Sequence, residues 1–233
     1  GEPEPESPGE SLREPESEPG SAGAGPPRAG PRQETVTIFD WDDTLLCSSF
    51  LRAHVRDEDK GLPKSARPHF RSIEATAVRL LGLAAQRGHC IIVTNAVEGW
   101  VEHSAAKYVP GLCEALGAVR IVSARSAHGE QMPGQERQWK AEAFRAVCRQ
   151  FAGEGRRLNL TVIGDSEMEM GAARAIRQEF EHVLVKTVKL QELPSPEDLS
   201  KELAVVSQKF EEILASPREL SISLARRWSG RAA

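Results

Sequence analysis

Five short apolar runs rich in β-branched residues recur along the chain. They lie at residues 35–39, 90–93, 119–122, 160–163 and 182–185. Each run is followed by polar or glycine-containing residues, which is typical of central strands of a parallel sheet that are buried on both faces. Between the runs, apolar residues repeat at helical spacing over about 70–87, 97–108, 135–153 and 167–180. This alternation predicts an α/β fold with a doubly wound, mainly parallel, five-stranded Rossmann-like sheet.

A further helix is predicted beyond the fifth strand. Ser195 is suited to cap it, Pro196 would occupy its first position, and acidic residues follow in its first turn. Its apolar residues share one helical face: Leu199, Leu203, Val206, Phe210 and Ile213. Such a stripe predicts packing on the edge of the sheet, with a partner-binding helix as the alternative.

The two ends of the chain differ from its middle in composition. Residues 1–33 contain eight of the fifteen prolines and seven glutamates, but no aromatic or β-branched residue. Such a segment buries too little apolar surface to offset its ordering entropy, so we predict a disordered tail, either a solvated spacer or an interaction segment. The predicted catalytic domain then spans 34–215, and a basic tail with Arg226, Arg227 and Arg231 spans 216–233.

Overall composition limits the classes of function. The 233 residues carry a formal net charge of −4, which does not favour binding to nucleic acid or to an anionic membrane. The four cysteines form no CxxC pair or zinc-ligand cluster, which indicates reduced thiols in an intracellular, cytoplasmic protein. No apolar run reaches the ~20 residues that span a bilayer, so no membrane partner is expected. Because the first residue is Gly1, the sequence leaves open whether a targeting segment precedes it.

Polar side chains follow four of the predicted strands directly. They are Asp40, Asp42, Asp43 and Thr44 after the first run, Thr94 and Asn95 after the second, Ser123 and Arg125 after the third, and Asp165, Ser166, Glu167 and Glu169 after the fourth. Ligands of open α/β sheets bind at the carboxyl ends of the strands, so these groups are expected in one crevice. Crowded carboxylates repel each other, and oxygen ligands favour Mg²⁺ as the cation that relieves the repulsion. The alternative for each residue is a turn former or a helix cap.

Lys140 lies on the apolar side of a predicted helix. It precedes Phe144 by four residues and shares a stripe with Phe144, Val147 and Phe151. One interpretation is a side chain that covers apolar surface while its ammonium reaches water. The other, which the acidic crevice favours, is an ammonium that balances the carboxylates and a bound phosphate.

Four segments in this order resemble the signature motifs of the haloacid dehalogenase-like (HAD) superfamily. They are Asp40-Trp41-Asp42-Asp43-Thr44-Leu45, Thr94 after its apolar run, Lys140, and Gly164-Asp165-Ser166-x-x-Glu169. The resemblance spans residues 34–190. It implies a HAD-like fold and a Mg²⁺-dependent phosphatase. In that role Asp40 would form an aspartyl-phosphate and Asp42 would act as general acid and base, while Thr94, Asn95 and Lys140 would bind the phosphoryl group.

The same resemblance implies the metal ligands. These are the side chains of Asp40 and Asp165 and the backbone carbonyl of Asp42. Three further residues are expected to support the ligands from behind: Thr44, Ser166 and Glu169. Two positions depart from the usual pattern, since Glu169 stands where the family more often has aspartate and Trp41 is bulky at a variable position.

The spacing between motifs bears on the substrate. Residues 47–66 and 123–140 are too short for the cap domain that many relatives carry, so no large cap is expected. An open site suits a macromolecular phosphorylated substrate, and a phosphoprotein is favoured over nucleic acid because residues 52–60 mix both charges without aromatics. The alternatives are a catalytically idle scaffold, or a small-molecule phosphatase or phosphotransferase completed by a partner subunit. The sequence leaves the oligomeric state open.

Overall fold

The computed structural model describes residues 1, 32–55, 61–153 and 156–224. Within these residues the strands are β1 (Arg32–Phe39), β2 (His89–Thr94), β3 (Arg120–Ser123), β4 (Arg156–Gly164), β5 (Val183–Lys189) and β6 (Leu220–Ser223). They form one six-stranded sheet in the order β3-β2-β1-β4-β5-β6, and every neighbouring pair is parallel. The strand order reverses at β1, so the centre of the sheet is the pair β1–β4.

The helices alternate with the strands. In the described part of the chain they are α1 (Ser48–His54), α2 (Arg67–Arg87), α3 (Trp100–Tyr108), α4 (Leu112–Leu116), α5 (Ala124–His128), α6 (Glu136–Phe151), α7 (Glu167–Glu179) and α8 (Pro196–Ala215). Helices α2, α4 and α8 cover one face of the sheet, and α5, α6 and α7 cover the other. The predicted α/β, Rossmann-like class is therefore confirmed.

Apolar residues fill both faces of the central strands. In β1, Phe39 joins the core beneath α2 and α8, whereas Val36 and Ile38 join the core beneath α6 and α7. In β2, Ile92 and Ile91 divide in the same way. Successive side chains of a strand point to opposite faces, which is why a continuous apolar run predicts a strand buried on both sides.

The sheet has one more strand than predicted. Strand β6 lies in the segment that the sequence predicts to be a basic tail, but it pairs in parallel with β5 through Val188 and Ile222. It has only four residues, and Leu220 and Ile222 are only half-buried, so its pattern is too short to stand out in the sequence. The short helices α1 and α5 were likewise not predicted, and they occupy the two segments considered too short for a cap. Most of the predicted N-terminal tail, residues 56–60 and residues 225–233 lie outside the described residues.

Helix α8 begins as predicted but packs in a different place. The backbone N–H of Asp198 donates to Ser195 Oγ at 3.1 Å, and Pro196 occupies the first turn. All five residues of the predicted apolar stripe are buried. However, α8 lies beside α2 on a face of the sheet, where Phe210 stacks on Phe39 of the central strand β1 at 6.4 Å between ring centroids. An apolar stripe along most of a 20-residue helix needs a broad surface to cover it, so the predicted position at the edge of the sheet is wrong.

The cysteines and the helix lengths relate to the predictions of reduced thiols and of no membrane partner. All four cysteines are free thiols, with Cys113 exposed and the other three buried. Among the described helices, none combines the length and the apolar composition that crossing a membrane requires.

A buried lysine, Lys186, lies on the face of the sheet that α8 covers. Lys186 of β5 is fully buried, and its ammonium donates to the carbonyl of Leu214 at 2.6 Å. Thr161, which is paired with Lys186 on the adjacent strand β4, has a buried hydroxyl without a hydrogen-bond partner. Burial lowers the pKa of Lys186 to about 8, because removal from water disfavours the charged ammonium.

We therefore expect Lys186→Met to have the same free energy of unfolding as the wild type at pH 7. At alkaline pH the wild type should become more stable, and the variant should lack this increase. The folded-state pKa of about 8 lies below the ordinary value of 10.5, so the unfolded chain binds more protons between these values. The free energy of unfolding of the wild type should then rise with pH across this window, by about 1–3 kcal/mol relative to Lys186→Met. Urea unfolding of both proteins at pH 7, 8, 9 and 10 measures the difference. A difference that does not change with pH would contradict the expectation.

Candidate functional site

The carboxyl ends of β1 and β4 place two aspartates side by side. Asp40 follows β1, and its backbone N–H donates to the carbonyl of Ile163 at 2.9 Å, which extends the ladder between the two strands by one residue. Asp165 follows β4 directly. Strand pairing of Phe39 with Ile163 therefore brings together two residues that are far apart in the chain.

A tight turn follows Asp40. The backbone N–H groups of Leu45 and Leu46 both donate to the carbonyl of Trp41, at 2.9 and 3.1 Å. Asp43 has a φ of 54°, a left-handed conformation that aspartate tolerates better than most residues. Its carboxylate accepts hydrogen bonds from the backbone N–H of Ser49, at 2.9 Å, and from the Ser49 hydroxyl. Asp43 thus anchors the start of α1 through Ser49.

Three carboxylates and one ammonium meet at these strand ends. Carboxylate oxygens of Asp40, Asp165 and Glu169 lie within 4.8 Å of one another. Lys140 Nζ lies 2.7 Å from Asp40 Oδ1 and also binds Glu169 Oε1. Asp40, Lys140 and Glu169 are buried, whereas Asp165 is half-buried. When all four groups are ionised, two negative charges stay uncompensated, so the donor set and its charge suit a divalent cation with oxygen ligands.

Glu169 is held by a capping box at the start of α7. Its Oε2 accepts hydrogen bonds from the Ser166 backbone N–H, at 2.9 Å, and from the Ser166 hydroxyl, while Ser166 Oγ accepts from Met168 N at 3.1 Å. A Cβ at position 164 would lie 2.5 Å from Glu169 Cγ, so Gly164 is needed for this approach. Both carboxylate oxygens of Glu169 are therefore occupied by protein donors, and the residue serves mainly to hold Lys140.

The charges at the site shift one another's pKa values. Burial, assisted by the neighbouring carboxylates, raises the pKa of Asp165 to about 8. Burial also raises the pKa of Asp40, and Lys140 partly opposes this shift. For Glu169 burial acts upwards, but Lys140 and Ser166 outweigh it and hold the pKa below its usual range. Burial opposes the charge on Lys140, yet Asp40 and Glu169 raise its pKa overall, so the ammonium stays charged at neutral pH.

Asp42 lies apart from this acidic cluster. It is half-buried, and each of its carboxylate oxygens accepts one hydrogen bond. Trp100 Nε1 donates to Oδ1 at 3.0 Å, and Thr94 Oγ1 donates to Oδ2 at 3.3 Å. The Thr94 hydroxyl in turn accepts from the backbone N–H of Ala96 at 3.0 Å. The first and second strand ends therefore meet at Asp42, as the sequence predicts.

Two further predicted residues, Thr44 and Asn95, contact neighbouring elements at these strand ends. Thr44 Oγ1 lies 3.5 Å from Asp165 Oδ1. The side-chain amide of Asn95 donates to the carbonyl of Glu136 at 3.2 Å, and Asn95 Oδ1 is buried without a partner. In this arrangement Asn95 links the end of β2 to the start of α6.

Sequence reasoning missed two polar residues here. Lys189 Nζ donates to the backbone carbonyl of Asp165 at 2.9 Å, and Trp100 binds Asp42. Lys189 ends β5, but the apolar run that predicts this strand stops at Val185, four residues earlier, so the predicted strand end does not include it. Trp100 follows no strand directly, and nothing in the local pattern separates it from a core aromatic residue.

No family model, curated protein or solved structure matches the chain. The chemistry of the site is therefore inferred from its own residues.

Proposed function

We propose that this protein is a Mg²⁺-dependent phosphatase that hydrolyses phosphomonoesters through an aspartyl-phosphate on Asp40. The observation that carries the proposal is the buried Asp40 carboxylate, held by Lys140 at 2.7 Å and adjacent to Asp165, with a separate carboxylate two residues later at Asp42. A nucleophile next to a cation, with a distinct acid and base nearby, matches the needs of phosphoryl transfer. The residue pattern that resembles the HAD-like superfamily supports the same proposal.

The acidic cluster fits Mg²⁺ by its chemistry. All of its donor atoms are oxygens, and when its four groups are ionised the uncompensated charge balances that of one divalent cation. The side chains of Asp40 and Asp165 and the backbone carbonyl of Asp42 would hold the cation. Bound there, Mg²⁺ would neutralise charge on the phosphoryl oxygens. Glu169 is the weakest candidate ligand, because its two oxygens already accept hydrogen bonds from Lys140 and Ser166.

The other residues divide the work of the reaction. Asp40 attacks phosphorus, and Asp42 protonates the leaving oxygen and later takes a proton from water. Lys140 holds Asp40 in place and balances the charge of the phosphoryl group. The Thr94 hydroxyl donates to a phosphoryl oxygen. Asn95 stays a predicted phosphate ligand, and that role requires its amide to leave the carbonyl of Glu136.

We further propose that the site acts without a large cap and takes a macromolecular substrate, a phosphoprotein in particular. The described residues of the first segment, 47–66, include the seven-residue helix α1, and the segment 123–140 includes the five-residue helix α5. Elements of this size cover little surface, so the substrate itself has to exclude water from the crevice. A folded or extended polypeptide does so better than a small metabolite.

The proposal is tested by phosphate release from an aryl phosphate, measured with Mg²⁺ and with excess chelator. We expect turnover that needs the metal and that Asp40→Asn lacks. Absence of metal-dependent turnover, or equal turnover by Asp40→Asn, would rule the proposal out. A panel of phosphopeptides, nucleotides and sugar phosphates then tests the substrate class. A strong preference of the isolated chain for a sugar phosphate would contradict a macromolecular substrate.

We expect Mg²⁺ affinity to rise with pH up to about 8 and then to level off. The metal-free site keeps Asp165 largely protonated at neutral pH, and the cation must displace that proton. Affinity should therefore change by up to about tenfold per pH unit below 8, with proton release at pH 7. Calorimetric titration with Mg²⁺ at pH 6–9, in buffers of different ionisation enthalpy, measures both quantities.

The same shift predicts how stability depends on pH without the metal. The pKa of Asp165 is about 8 in the folded protein and 3.8 ordinarily, so protonation of Asp165 stabilises the folded state. This stabilisation is complete below about pH 4 and is lost as pH rises through 8. Saturating Mg²⁺ should abolish this loss. Asp165→Asn is the control, since it should remove the part of the pH dependence that Asp165 causes and most of the Mg²⁺ affinity. Affinity that stays constant between pH 6 and 9 would contradict the expectation.

A further inference from the structure

We propose that Trp100 is a positioning residue that gives the two carboxylate oxygens of Asp42 different roles. Its indole N–H holds Oδ1, which leaves Oδ2 as the oxygen that carries the catalytic proton. The inference deepens the proposed phosphatase function and rests on it.

The indole reaches Asp42 from the first residue of α3. Gly99, with a φ of 82°, precedes it and allows the chain to turn sharply into the helix. Trp100 is half-buried, and its ring centroid lies 6.4 Å from that of His103. The donor therefore sits on a helix and not on a free loop.

A hydrogen-bonded relay ties this helix to the catalytic turn. Trp41 lies between Asp40 and Asp42, and its indole donates to Ser104 Oγ at 3.0 Å. Ser104 in turn donates to the backbone carbonyl of Trp100 at 2.6 Å. The turn and the start of α3 are thus connected twice, once through Asp42 and once through Ser104. This relay gives bulky Trp41 a use that the sequence left open, and it fixes Trp100 relative to Asp42.

The donor types determine which oxygen can react. An indole N–H donates and cannot accept, so Oδ1 keeps an acceptor role whether Asp42 is ionised or protonated. A proton on Asp42 therefore belongs on Oδ2. In the free protein Oδ2 accepts from the Thr94 hydroxyl, which is 3.3 Å away. When a phosphoryl oxygen takes that hydroxyl hydrogen instead, Oδ2 is released to face the leaving group.

Each chemical step then has a defined proton path. In the first step Asp40 forms a bond to phosphorus, the bond from phosphorus to the leaving oxygen breaks, and that oxygen takes the proton from Asp42 Oδ2. In the second step water attacks phosphorus and gives a proton to Oδ2, and the bond between Asp40 and phosphorus breaks. Inorganic phosphate and the original carboxylate of Asp40 are the products. Oδ1 stays bound to Trp100 throughout.

The test compares leaving groups in Trp100→Phe, which keeps the aromatic ring and removes the donor. An alkyl phosphate needs protonation of its leaving oxygen, whereas a nitrophenyl phosphate does not. We expect kcat/KM for the alkyl ester to fall by about tenfold to a hundredfold, and kcat/KM for the nitrophenyl ester to change little. The ratio of the two values is independent of how much of the variant is folded, so a loss of stability cannot imitate the result.

Two controls separate the possible outcomes. Trp139→Phe removes an indole donor that binds the carbonyl of Met132 at 2.6 Å, away from Asp42, and should leave the leaving-group ratio unchanged. In an Asp42→Ala background, Trp100→Phe should have no further effect on that ratio. Equal losses with both esters, or no loss, in an otherwise active enzyme would overturn the role of Trp100 alone. A wild type without metal-dependent turnover would overturn the phosphatase function and this inference together.

Discussion

Asp40→Asn should lower kcat for phosphomonoesters by at least about 10⁴-fold while the protein stays folded. An amide has nearly the shape of a carboxylate, but its neutral oxygen is too weak a nucleophile to attack phosphorus. The fold should tolerate the change, since Lys140 keeps Glu169 as its partner and the repulsion between Asp40 and Asp165 disappears. The measurement is steady-state phosphate release together with thermal unfolding of each protein.

A direct readout of the intermediate makes this prediction sharper. Acid quenching during turnover should trap a phosphoryl group on Asp40 in the wild type, as an acyl phosphate that hydroxylamine cleaves, and none in Asp40→Asn. Asp43→Asn is the matched control from the same turn. Asp43 faces Ser49 and lies outside the acidic cluster, so this variant should retain turnover and the trapped intermediate. A phosphoryl group trapped on any other residue would contradict the role of Asp40.

Lys140→Met should cost both stability and activity. Removing one partner of a buried ion pair costs about 3–5 kcal/mol of folding free energy, because the remaining charges stay buried without compensation. Here Asp40 and Glu169 would both lose their partner. In the proposed function the same ammonium balances the phosphoryl charge, so kcat should fall by about 10²–10³-fold. Urea unfolding and phosphate release measure the two effects.

The pH dependence of this loss identifies its cause. Without Lys140, the two buried carboxylates should have pKa values above those of the unfolded chain. Protonation of these two carboxylates stabilises the folded variant at low pH, and this stabilisation is lost as pH rises. The loss of unfolding free energy in Lys140→Met, relative to the wild type, should therefore be smaller at pH 5 than at pH 8. Lys186→Met is the matched control, because Lys186 is equally buried but burial alone sets its pKa. Equal deficits in the two variants would contradict an electrostatic role for Lys140.

The sequence alone predicted most of the sheet. Short apolar runs were enough to identify β1 to β5, because the residues of each strand are contiguous in the sequence. The expectation that all five are central strands is wrong for β3, which lies at the edge of the sheet and is exposed or half-buried. Strand β6 escaped notice because four alternating residues do not differ from a loop until a neighbouring edge pairs with them. The apolar stripe of α8 predicted a buried face. It did not predict which surface the stripe covers, because that depends on the strand order.

The site divides in the same way. Chain order after each strand was enough to single out Asp40, Thr94 and Asp165, since parallel strands present their carboxyl ends at one edge. Lys140 was foreseen from its place on an apolar stripe, but its contact with Asp40 spans 100 residues and needs α6 packed against the centre of the sheet. The contact of Trp100 with Asp42 spans 58 residues, and no local pattern indicates it.

The sequence by itself thus determined which segments are strands and helices, which faces they bury, and which polar groups follow the strands. Only the tertiary structure decided which of those groups touch. Periodicity is local and can be recognised along the chain, whereas the order of strands and the packing of helices result from the balance of the whole core. The two oxygens of Asp42 differ for this reason, because their donors come from β2 and α3, which meet the turn after β1 only when the sheet is complete.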